Sequence, residues 1–203
     1  IGGFRIPLEK LEGKCLGFSE IDKSAVDTYK LNFIDDNFDD EQELGDITKL
    51  NKLPFKVDLI VGGVPCQSWS VAGKMEGFDD PRGRLFFQIP RICKELKSPP
   101  KVLLLENVSF LKEFDRGARL RTVINELRRA GYWVSEDNIG VLDSYDYAGS
   151  PQTRKRLFIV AAHMNYFKKN EFKFQGIEKE RPKALFDVVD RSKKHSDRLY
   201  LVK

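Results

Sequence analysis

The sequence predicts a doubly wound α/β domain with a mostly parallel sheet, on three observations. Nearly continuous apolar runs, Lys101-Val102-Leu103-Leu104-Leu105 above all, read as strands covered on both faces. Between such runs lie stretches with apolar residues at helical spacing, as in Leu85, Ile89, Ile92 and Leu96. The two kinds alternate as β-α-β-α-β, the pattern of a sheet whose ligands bind beyond the carboxyl ends of its strands.

From the amino end, Cys15-Leu16-Gly17-Phe18 reads as a short strand followed by Ser19-Glu20-Ile21-Asp22. Asp22 is placed to N-cap a helix through Ala25, Val26, Tyr29 and Leu31. Val57-Asp58-Leu59-Ile60-Val61 is a buried strand entering a turn at Gly62-Gly63. A helix over 85–96 precedes the central strand 101–105. A second helix, over 120–130, stops at Gly131, which reads as its C-cap. Tyr132 to Val141 and Leu157 to Ala162 complete the strands, and after Phe167 no strong period remains. Residues 1–165 are expected to form the domain proper, with 166–203 running along its edge.

At 203 residues the chain is long enough to bury one core without staples. Its 41% apolar and 33% charged residues suit a globular chain rather than a disordered one. No apolar run approaches a bilayer span and no signal-peptide pattern opens the sequence. Three cysteines without a Cys-x-x-Cys pair and two distant histidines, His163 and His195, argue against a disulfide framework or a metal site. A reducing, cytoplasmic setting follows.

The net charge of +4 is unevenly spread. Asp35-Asp36-Asn37-Phe38-Asp39-Asp40-Glu41 is acidic, the stretch after Asn165 is basic, and Lys112, Arg116, Arg119, Arg121, Arg128 and Arg129 form a second basic group. Such segregation is compatible with a polyanion on one face, and equally with a solvated charged surface.

Three strand ends carry reactive-looking residues: Glu20, Cys66 and Glu106. Cys66 follows Gly62-Gly63-Val64-Pro65, where Pro65 stiffens the loop and the thiol is held at a rim rather than in a core. Cys93, inside an apolar helix, and Cys15 read instead as small hydrophobes. Glu106 ends the central strand, partly desolvated and placed to donate a proton near neutral pH. Arg154 and Arg156 alternate in an extended Pro151-Gln152-Thr153-Arg154-Lys155-Arg156, so both should project to one side. Two guanidiniums there suit a phosphate or a carboxylate, or serve only as a basic edge guard.

Taken together, Pro65-Cys66-Gln67-Ser68-Trp69-Ser70, Glu106-Asn107-Val108 and Gln152-Thr153-Arg154-Lys155-Arg156, in that order, resemble a bacterial cytosine-C5 DNA methyltransferase. Ile1-Gly2-Gly3-Phe4-Arg5, Glu20-Ile21-Asp22, Gly45-Asp46-Ile47 and Asp80-Pro81-Arg82-Gly83-Arg84-Leu85-Phe86 support it, and the resemblance runs to about Ala162. It implies a Rossmann-like S-adenosylmethionine-dependent fold that methylates C5 of a flipped cytosine in double-stranded DNA, with Cys66 adding to C6. It implies Glu106 as the acid at the base N3, Arg154 on the base carbonyl and phosphate, and Gln152 and Arg156 as buttresses. Pro65, Gln67, Ser68, Ser70 and Asn107 would contact the flipped nucleotide, with hinges at Gly73, Gly77 and Gly83. For the cofactor it implies Gly2 and Gly3 at the methionine portion, Glu20 on the ribose, Ile21, Asp46 and Ile47 around the adenine, and Leu85 beside them, with no metal. This family often has an aromatic residue where Ile21 stands, so adenine stacking becomes aliphatic packing.

Members of the family also carry a strand ahead of the first glycines and a target-recognition region, and the expected architecture here lacks both. A monomer in the bacterial cytosol, away from any membrane, is expected, with a complementary chain or a cognate restriction endonuclease system as the alternative. Two rival readings remain: a non-catalytic nucleic-acid-binding remnant, and an RNA-directed branch of the same family.

Overall fold

The computed structural model describes residues 2–33, 41–63, 83–181 and 183–184. Helix α1 (Arg5–Glu9) leads to strand β1 (Gly17–Phe18), helix α2 (Lys23–Asn32) and strand β2 (Gln42–Glu43). Strand β3 (Leu59–Gly63), helix α3 (Gln88–Glu95), strand β4 (Val102–Val108) and helix α4 (Ala118–Arg129) follow. Strands β5 (Tyr132–Trp133) and β6 (Ile139–Asp143), the short helix α5 (Ser144–Tyr147) and strand β7 (Lys155–His163) close the described order.

Two sheets form. β1 pairs with β2 in parallel, and a five-stranded sheet runs β3-β4-β7-β5 with β6 also on β7. β3 is parallel to β4, whereas β7 is antiparallel to β4, β5 and β6. Four strands of the larger sheet therefore share a direction and only β7 opposes them, as the mostly parallel expectation requires.

The strand periodicity places the core. In β4 burial alternates residue by residue, so Leu103 and Leu105 face inward while Leu104 and Glu106 face the other way. Leu157, Ile159 and Ala161 of β7 share the inward face, and α3 (Ile89, Cys93) and α4 (Val123, Leu127) both cover it. Each fully buried leucine there contributes about 2 kcal/mol of hydrophobic stabilisation. Tyr132 is also fully buried, and its hydroxyl donates to the Pro100 carbonyl at 3.0 Å.

Local signals behave as the chemistry dictates. Asp22 accepts from the Ala25 amide at 2.9 Å and starts α2. Gly131 ends α4 at φ +87°, and a Cβ there would lie 2.9 Å from His163 Nε2. The expected helix over 85–96 instead opens with a 3-10 turn, Gly83–Phe87, before α3 begins. The expected strand from Tyr132 to Val141 is two strands. Ser135 and Asn138 form a reciprocal capping box around a 3-10 turn, Glu136–Asn138, which takes the backbone out of the ladder. The grouped arginines separate too: Arg116 precedes α4, while Arg128 and Arg129 sit at its carboxyl end, where Arg128 donates to the Val134 carbonyl. A helix of that length puts them about 18 Å apart.

Candidate functional site

The site is built at strand ends, in two halves. In the first, β1 and β2 deliver the loops Ser19–Asp22 and Gly45–Thr48 side by side. The Ser19 hydroxyl donates to the Gly45 carbonyl at 2.6 Å and joins them. Glu20 folds back so that its Oε1 accepts from the amides of Ile21 (2.8 Å) and Asp22 (2.9 Å). Its Oε2 has no partner among the described residues. Ile21 stands 73% exposed, an apolar side chain left on the surface beside that carboxylate. Asp46 accepts from the hydroxyl and amide of Thr48, which hold its carboxyl below the usual carboxylate range. Arg91 of α3 donates to the carbonyls of Ile47 (3.1 Å) and Leu50 (2.7 Å), fastening this loop to α3. Gly2 and Gly3 lie at the start of α1, where the Gly2 carbonyl accepts from Ile6. Leu85, half-buried, sits in the 3-10 turn ahead of α3.

The second half gathers on the face of β3, β4 and β7 opposite the helices. Gly63, the last residue of β3, is registered with Glu106 of β4. A Cβ at Gly63 would fall 2.9 Å from Glu106 Oε2, so the carboxylate lies directly over a position only glycine leaves open. Arg156 of β7 donates its Nε to Glu106 Oε1 at 2.7 Å, both side chains being about a quarter exposed. The register permits this contact: Glu106 is opposite Phe158 and Val108 opposite Arg156, so acid and guanidinium are diagonal neighbours.

The neighbouring segment is fixed through its backbone. Asp143, at the end of β6, accepts from the Arg154 amide at 2.8 Å and from Tyr145, capping α5. Ser144 donates its hydroxyl to the Gln152 carbonyl at 2.6 Å and its amide to the Arg154 carbonyl at 3.2 Å. The Gln152 and Arg154 side chains are consequently exposed and unpaired among the described residues, so the two arginines divide: Arg156 holds Glu106, and Arg154 projects into solvent.

Asn107 is not brought to this face. It follows the strand alternation inward, is 6% exposed, and its Oδ1 accepts from the Val108 amide. Pro65, Cys66, Gln67, Ser68 and Ser70, with Gly73 and Gly77, lie outside the described residues; Cys66 follows Gly63 by three positions. Sequence reading missed Ser19, Arg91, Asp143 and Ser144, because each acts on a backbone group distant in the chain. Only the capping signal of Asp143 before Ser144 was there to be found.

Comparison with known proteins gives this arrangement a lineage. Residues 1–202 match the C-5 cytosine-specific DNA methylase family. The chain is 42% identical over 167 residues to the type II methyltransferase M.HpaII of Haemophilus parainfluenzae, covering 80% of this chain and 44% of that protein. It is 36% identical over 190 residues to the type II methyltransferase M.HhaI of Haemophilus parahaemolyticus, covering 93% of this chain and 53% of that one. The chain thus spans about half the length of these relatives. Among solved structures it is similar to a Spodoptera frugiperda DNMT2 mutant, with TM-score 0.63, 22% identity, and coverage of 91% of this chain and 55% of that one. The Entamoeba histolytica methyltransferase EhMeth is similar at TM-score 0.57 and 19% identity, over 81% and 48%. At those identities the likeness is one of fold. The family match over nearly the whole sequence, carried at 36–42% identity into its relatives, is decisive: the chain belongs to the C-5 cytosine-specific DNA methylase family.

Proposed function

We propose that the protein transfers a methyl group from S-adenosylmethionine to C5 of a flipped-out cytosine in double-stranded DNA, with Cys66 as nucleophile. One observation carries the reading: the Gly63–Glu106 register sets the end of the strand leading to Cys66 beside a carboxylate clamped by Arg156.

The chemistry needs those parts. C5 of cytosine is a poor nucleophile, and thiolate addition at C6 turns the ring into an enamine able to take the methyl group. Glu106 delivers a proton to N3 as the thiolate adds, so negative charge does not accumulate on the ring. Loss of the C5 proton to solvent then drives elimination of the Cys66 thiolate, and N3 returns its proton to Glu106, which restores the aromatic base. Arg156 orients Glu106 through a charge-assisted bond, while the exposed Arg154 is available to the base carbonyl or a phosphate. Gln152 supports that segment through its backbone, and Asn107 braces the end of β4 from the inner face. A stacked base offers C6 to no thiol, hence the need to flip it.

The first half-site fits S-adenosylmethionine, which supplies the methyl group. Glu20 keeps one carboxylate oxygen for a ribose hydroxyl, Ile21 offers an apolar surface to the adenine, and Asp46 stays ionised to accept from its amino group. Among the described residues nothing lies within 4 Å of a Cβ built on Gly3, which suits a turn against a ligand. Among the described residues no cluster of metal-ligating side chains occurs and no helix is long and apolar enough to cross a membrane. The described part of 166–184 lies along the sheet edge. Asn138 donates to the Phe172 carbonyl, and Phe174 covers Gly140. Both contacts support reading it as the margin of the catalytic domain. We place the protein in the bacterial cytosol, acting as a monomer on DNA, as part of a restriction-modification system.

The test is product analysis. DNA incubated with the protein and methyl-labelled S-adenosylmethionine should yield its label in 5-methylcytosine. Label in another nucleoside, or in RNA alone, contradicts the reading.

A further inference from the structure

A buried ionic cluster beneath the amino-terminal turn is unexplained by either half-site. Arg5, 7% exposed, donates Nη1 to Glu41 Oε2 at 2.7 Å and to the Tyr29 hydroxyl at 3.2 Å, while its Nε pairs with Glu9. Glu41, its side chain 3% exposed, also accepts from the Tyr29 hydroxyl and from Cys15 Sγ. Burying a guanidinium this completely is costly unless it is paired and bonded throughout, and a helix as short as α1 does not need it.

What the cluster holds in place is a ring. The Arg5 guanidinium lies 4.0 Å from the centroid of Phe33, which is itself 5% exposed and 5.0 Å from the Tyr29 ring. Phe33 in turn forms the floor of the Gly2 turn. Gly2 has φ +92°, and a Cβ on it would fall 2.2 Å from the Phe33 ring. At Gly3, the next residue of the turn, nothing among the described residues lies within 4 Å of a Cβ built there. The order is therefore acid, guanidinium, aromatic ring, glycine turn.

We propose that Arg5 and Phe33 are positioning residues for S-adenosylmethionine: the clamped guanidinium fixes the ring, and the ring fixes the Gly2–Gly3 turn against the cofactor. The inference rests on the reading of that turn as the cofactor turn. Arginine rather than lysine is required, because a planar fork must stack on the ring while bonding two acids and a phenol in its own plane.

Two variants test it, Phe33→Leu, which keeps apolar volume but removes the ring face, and Arg5→Lys, which keeps the charge. The full protein is measured for S-adenosylhomocysteine affinity by calorimetry, for KM of S-adenosylmethionine and of DNA, and for ligand-free melting. Well below the melting transition, both variants should bind S-adenosylhomocysteine about five- to tenfold more weakly and raise the cofactor KM in step, with KM for DNA unmoved. If melting falls while cofactor affinity and KM stay at wild-type values, the stack serves stability alone and the proposal is overturned. If the wild-type protein itself fails to bind S-adenosylhomocysteine, the cofactor reading beneath the proposal falls with it.

Discussion

The two half-sites are held by different physics. Around Glu20 and Asp46 the strands are two residues long and the loops are held by a few hydrogen bonds, Ser19 to Gly45 and Arg91 to Ile47 and Leu50, with the buried Arg5–Glu41 pair beneath the amino-terminal turn. Around Glu106 the backbone is fixed by seven registered pairs between β4 and β7 and five between β3 and β4, over an apolar core. Polar pairing is directional and fails as a unit when one partner is lost, whereas a ladder tolerates the loss of a side chain that projects from it. The comparison teaches that, under the proposed roles, Glu106 can be altered chemically without disturbing its scaffold, while Glu20 and Asp46 depend on the polar contacts that hold their own loops.

The largest effect should come from Glu106→Gln. If Glu106 donates the proton to N3, kcat should fall by about 10²–10⁴-fold, with melting temperature and S-adenosylhomocysteine affinity unchanged. A drop of only a few-fold removes the acid from the mechanism, and a parallel loss of stability breaks the proposed separation of chemistry from scaffold.

A smaller effect sharpens the contrast in stability. Leu103→Ala, in the fully buried centre of β4, should cost about 2–5 kcal/mol by denaturant titration. Glu41→Ala leaves the buried Arg5 short of its partner and should cost about 3 kcal/mol. The two should differ in their second readout: surviving Glu41→Ala protein binds S-adenosylhomocysteine weakly, and surviving Leu103→Ala protein binds it normally. Equal loss of affinity in both would show that the halves are not separately supported.

The same contrast explains what the sequence could reveal. The larger sheet was legible because its signals are local and repeated: the apolar run 102–105, the helical period of α4, and Gly131 at its end. The cap at Asp22 was legible for the same reason. Arg5 was not, since a charged residue early in a helix reads as solvated until its partners, Glu41 and Phe33, are brought to it from 28 to 36 positions away. The break between β5 and β6 was missed because Ser135 and Asn138 outcompete the ladder locally, inside a stretch that is otherwise apolar enough for one strand. Arg154 and Arg156 were recognised as a pair, but only the β4–β7 register decides which of them meets Glu106. The motifs were readable in order; that Glu106 and Arg156 meet needed the fold.

The most direct test of the account is covalent trapping. Fluorine in place of the C5 hydrogen blocks the elimination that frees the thiol, so DNA containing 5-fluorocytosine should remain attached to the protein. Incubated with S-adenosylmethionine and run on a denaturing gel, the wild-type protein should give a protein–DNA band, and Cys66→Ser should give none. A band that survives Cys66→Ser, or no band from a wild-type protein that methylates DNA, would contradict Cys66 as the nucleophile.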